Sequence, residues 1–84
     1  MGRGLLAEGT IHRSVFYWLG VLSSCANGAP IHKRKLWDIL QNNGKVEDSD
    51  KGRERVDQYL SHLRQYGFVV SVGNGHWKLT GKKP

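Results

Sequence analysis

Lys51, Arg55, Gln58, His62 and Gln65 recur at intervals of three and four residues, so on a helix they form one stripe. Each can donate a hydrogen bond, His62 in any protonation state, and none is acidic. Such a stripe suits the edges of nucleic-acid bases. An arginine guanidinium matches the O6 and N7 acceptors of guanine, and a glutamine amide matches N6 and N7 of adenine. A solvated helix face has the same composition, so the stripe defines a surface to test. Arg53 and Arg64, together with Lys51, suit phosphate contacts better than base contacts.

Two further groups have the chemistry of a polyanion binder. Lys33-Arg34-Lys35 opens a second helical segment. Cations at a helix N-terminus oppose the macrodipole, so the cluster calls for compensation, and phosphate supplies it where free amides also bind anions. Near the C-terminus, Asn74, His76 and Lys78 are candidates for backbone contacts on a hairpin. Trp77 either stacks on a base or covers the core. Nothing points to catalysis. The seven acidic residues concentrate at Glu47, Asp48, Asp50 and Glu54, no nucleophile stands at a recognisable spacing from a base, and no glycine-rich phosphate loop precedes a helix. No enzyme activity and no cofactor are expected.

These groups need elements to hold them. Thr10 is suited to cap a first helix over Ile11 to Cys25, with Ile11, Val15, Trp18, Leu19 and Leu22 on its core face. Phe16, Tyr17 and Val21 fall outside that stripe. They pack against a neighbouring segment or offer a surface to a protein partner or a second copy. Asn27-Gly28 ends this helix, and Ala29-Pro30-Ile31 is extended because of its proline. A second helix is expected from Lys33 to Asn43, with Leu36, Trp37, Ile39 and Leu40 inward. Lys45 to Gly52 reads as a polar, acidic loop, with Ser49 or Asp50 as cap of a third helix carrying Val56, Leu60 and Leu63 inward. Gly67 stops that helix. Phe68 to Val72 and His76 to Thr80 alternate as strands around Gly73-Asn74-Gly75, which tolerate positive φ.

The chain has 84 residues, 13 lysines and arginines against seven acidic residues, and a net charge of +6. One small domain of residues 10–80 follows, between a flexible arm (1–9) and a basic tail (81–84), and an anionic partner is favoured. The single cysteine, Cys25, excludes an intrachain disulfide and is expected as a small buried hydrophobe. Four histidines far apart in sequence give no structural zinc spacing, so no metal is expected. No apolar run is long enough to span a membrane. Position 6 is Leu6, which fails the myristoylation pattern after Met-Gly, and no signal peptide is visible. An intracellular protein is expected.

The order helix, strand, helix, helix, strand, strand, an α+β arrangement, resembles the winged-helix superfamily over Ile11 to Thr80. The matching pieces are Asn27-Gly28-Ala29-Pro30-Ile31, Val56 to Leu63, Tyr66-Gly67-Phe68-Val69 and His76-Trp77-Lys78-Leu79-Thr80. The resemblance implies a third helix that enters the major groove and a wing that contacts the backbone or minor groove. The family also includes RNA binders, such as ribosomal components, and protein-interaction modules. Trp77-Lys78-Leu79-Thr80 is similar to the wing of Z-DNA binders, but prolines are absent before the tryptophan. Asp57 and Ser61 stand where those proteins carry Asn and Tyr, so Z-form recognition is not expected. Duplex DNA is the leading expectation; RNA and a protein partner are the alternatives.

Overall fold

The structure is a computed structural model that describes residues 10–82. The expected arm, residues 1–9, and the last two tail residues lie outside the described residues. Three helices and one small antiparallel sheet follow in the order α1 (Ile11–Cys25), β1 (Ile31–His32), α2 (Lys33–Asn42), α3 (Asp50–Gln65), β2 (Val69–Gly73) and β3 (His76–Leu79). The sheet order is β1-β3-β2. The chain is therefore α+β. No helix among the described residues is long and apolar enough to cross a membrane.

Local chemistry accounts for the boundaries. The Thr10 hydroxyl accepts the Arg13 amide at 3.1 Å and caps α1. At its other end Asn27 (φ 56°) and Gly28 (φ 84°) turn left-handed, which lets the Gly28 amide reach the Ser23 carbonyl at 2.7 Å. In the hairpin, Asn74 (φ 53°) and Gly75 (φ 77°) form a two-residue loop whose twist matches the flanking strands. The hairpin is tied to the exit of α3, where the Thr80 hydroxyl donates to the Gly67 carbonyl at 2.6 Å.

One core joins all the elements. Val15 and Leu19 of α1, Leu36, Trp37 and Leu40 of α2, and Val56, Leu60 and Leu63 of α3 meet Ile31, Phe68, Val69 and Trp77. Ile11, Trp18, Leu22 and Ile39 are half-buried at its edge. Phe16 is half-buried too and lies edge-on to Phe68, with centroids 5.5 Å apart, while Tyr17 stays 59% exposed.

Three expectations are corrected. Cys25 is exposed; it ends α1 off the Val15–Leu19 face, and Ala26 packs against the core instead. The first strand is Ile31–His32, because only there does the chain pair with Trp77 and His76. The third helix starts at Asp50, so Asp50, Lys51 and Gly52 leave the expected loop. Asp50 then stabilises the helix N-terminus and pairs with Arg53 at 2.6 Å. Of the basic tail, Lys82 folds back: its ammonium donates to the Tyr66 carbonyl at 2.7 Å and sits 4.9 Å from the Phe68 ring centroid.

Candidate nucleic-acid interface

The N-terminus of α2 is where the separate basic groups meet. His32 caps it, with Nδ1 accepting the Arg34 amide at 3.0 Å. The Lys33 amide donates to the Gly75 carbonyl at 2.9 Å, which fixes the hairpin turn against the start of the helix. The rings of His32 and His76 stand edge to face, 5.0 Å apart. From the same turn of helix, the Lys33 ammonium reaches Asp57 of α3 at 3.1 Å.

Arg53 completes this corner. Its guanidinium lies 4.7 Å from the centroid of the Trp37 ring, a cation–π placement. The Trp37 indole N–H donates to the Glu47 carbonyl at 3.2 Å. Between these groups is a notch of about 250 Å³ lined by His32, Lys33, Arg34, Trp37, Arg53, Val56 and Asp57. Three cations and one carboxylate border it. The Lys33–Asp57 pair is 43% and 46% exposed, so water screens it and its energetic worth is small. The pair places the ammonium beside the notch that both residues line. It also supplies, inside the chain, part of the compensation the basic helix start requires. Arg34 and Lys35 remain exposed.

The expected stripe on α3 divides. Lys51, Arg55, Gln58, His62 and Gln65 are all exposed, but they do not share one neighbourhood. Asp57 faces α2, whereas His62 bonds to His12 of α1 at 3.0 Å. Five residues at about 100° each put these two positions roughly 140° apart around the helix. Arg55 borders a separate depression of about 370 Å³ with Gly44, Lys45, Val46, Glu47 and Tyr59. Lys51, Gln58 and Gln65 face outward between the two flanks. In the hairpin, Asn74 and Lys78 are exposed. Trp77 is buried, at 9% exposure, opposite Ile31 and Ser71, so of its two readings the core one holds.

Sequence reasoning missed His32, Trp37 and Asp57 as parts of this corner. His32 was detectable: it directly precedes a helix start, where a side-chain acceptor caps the free amides. The Asp57–Lys33 and Arg53–Trp37 pairings had no local signal, because each joins α3 to α2.

Electrostatics single out one group away from the notch. His12 titrates below the usual histidine range, first because burial penalises its charged form and second because His62 stands beside it. The folded state therefore holds fewer protons than the unfolded state just below the unfolded value of 6.5. The resulting stability is full above that value and is lost as pH falls through the lower, folded value. Urea melts at neutral and at mildly acidic pH should show a larger acid loss for the wild type than for His12→Gln. Equal losses in the two proteins would remove His12 from the account.

Among the described residues, no group of three or more histidine, cysteine or acidic side chains is placed to hold a metal ion. Comparison of the chain with protein-family models, with curated proteins and with solved structures gives no match.

Proposed function

We propose that this chain is a winged-helix nucleic-acid-binding protein that engages duplex DNA with α3, the start of α2 and the β2–β3 wing. The observation that carries the reading is the contact chain from Asp57 through Lys33 to Gly75, which sets three basic elements side by side. Lys33, Arg34, Lys35 and Arg53 neutralise phosphate along this edge. Asn74, His76 and Lys78 extend it along the wing. Lys51, Gln58 and Gln65 present the adjoining outer face of α3 for limited readout of base edges. Phosphate contacts supply most of the affinity, because each one releases condensed counterions.

Titration of a DNA duplex and a structured RNA from about 50 to 200 mM salt tests this. Affinity for the duplex should fall steeply, and replacing Lys33, Arg34 and Lys35 by alanine should flatten the logarithmic slope by about two to three. Affinity indifferent to salt would remove the reading. Tighter binding of the RNA at matched salt would transfer it to RNA. A loss confined to Arg55→Ala and Gln58→Ala would remove the start of α2 and the wing from the interface and leave α3 alone.

One observation favours a second reading, a protein-interaction module. Exposed Tyr17 borders a shallow depression of about 260 Å³ with Arg13, Phe16, Gly20 and Leu79. Function that survives the triple-alanine variant and is lost on Tyr17→Ser would favour that reading.

A further inference from the structure

The two histidines at the junction of α1 and α3 are 50 positions apart in sequence, yet their ring nitrogens approach to 3.0 Å, His12 Nε2 to His62 Nδ1. The ring planes are inclined by 33° and their centroids are 5.2 Å apart. The Tyr59 ring stands edge-on to His12 at 4.9 Å. Neutral imidazoles at this distance share one proton between the facing nitrogens. A second arrangement uses the other tautomers: with the proton of His12 on Nδ1 and that of His62 on Nε2, both facing nitrogens present lone pairs.

Two imidazoles on one tetrahedral zinc ion, each about 2.0–2.1 Å from it, place their nitrogens about 3.3 Å apart and their ring centroids about 5.2 Å apart. The rings now face each other nearly head-on; holding one ion requires the nitrogens to open by a few tenths of an ångström and both rings to tilt toward a common point at an almost unchanged centroid separation. We infer that His12 and His62 form a two-histidine chelate for a divalent transition-metal ion of the imidazole-preferring class, with water completing the coordination. The ion replaces the shared proton and clamps the start of α1 to the last turns of α3. Proton competition makes such a site favour neutral over acidic solution. Two protein ligands make a site of moderate affinity, unlike the three or four of a catalytic or structural zinc centre. The inference is independent of nucleic-acid binding.

Calorimetric titration of the full chain with zinc chloride near neutral pH tests it, read together with the histidine ring resonances by NMR. One ion should bind per chain. His12→Gln and His62→Gln should each weaken binding by about tenfold or more. Variants His32→Gln, which removes one ring of the other histidine pair, and Cys25→Ser, which removes the exposed thiol, should bind as the wild type does. In the wild type the resonances of His12 and His62 should shift while those of His32 and His76 stay in place, a readout that requires no variant to fold. Absence of saturable binding, full binding by His12→Gln, loss on Cys25→Ser or His32→Gln, or shifts confined to His32 and His76 would each overturn the inference.

Discussion

Gly52→Ala should lower the stability of the domain by about 1–3 kcal/mol, against the usual sign of a glycine-to-alanine change in a helix. In an open helix the substitution stabilises by about 1 kcal/mol. Gly52, however, is buried in the first turn of α3, and a Cβ there would collide with the Glu47 backbone carbonyl. That carbonyl also accepts the Trp37 indole N–H. The loop before α3 therefore has no room to give without breaking a hydrogen bond worth about 1 kcal/mol. Backbone moves less readily than the end of a side chain, so the overpacking term wins. For a domain this small the loss corresponds to a midpoint lower by roughly 5–20 °C. Thermal unfolding followed by circular dichroism measures it, and an unchanged or raised midpoint would show that the loop yields.

Trp77→Ala should cost about 3–5 kcal/mol and leave little folded protein. Trp77 is 9% exposed and lies in the middle strand, opposite Ile31 on one side and Ser71 on the other. Its removal opens a cavity where the sheet meets the helices. Any loss of nucleic-acid binding in this variant then follows from unfolding. Trp77→Leu separates the two roles: it keeps much of the apolar volume but has no aromatic face to stack on a base. Binding that persists in folded Trp77→Leu agrees with a core role. Binding abolished in a protein that melts like the wild type would restore a stacking role.

The outline of the fold was legible because its signals are local. The Thr10 cap, the Asn27-Gly28 exit and the Asn74-Gly75 loop each act through residues a few positions apart. The inward residues of α2 and α3 repeat at helical spacing, and Leu36, Leu40, Val56, Leu60 and Leu63 are buried. Errors arose where a non-local partner decides. Gly52 looked like a loop glycine, since sequence gives no sign that the Glu47 backbone crosses over it. Cys25 looked buried from its apolar helix, but the last residue of a helix is buried only if something covers that end.

The polar stripe shows the division most directly. Sequence by itself determined that Lys51, Arg55, Gln58, His62 and Gln65 lie on one side of a helix, because a 3.6-residue period allows nothing else. It also determined the basic start of α2 and the hairpin that follows α3. Tertiary structure alone decided which of these groups are neighbours. It turned His62 toward His12, set Arg55 beside the α2–α3 loop, gathered Lys33, Arg34 and Arg53 around one notch, and tied the hairpin turn to the Lys33 amide. The physical reason is that periodicity fixes the angle of a side chain around its own helix. The direction in which that angle points depends on the packing of three helices against a sheet, through contacts between residues far apart in the chain.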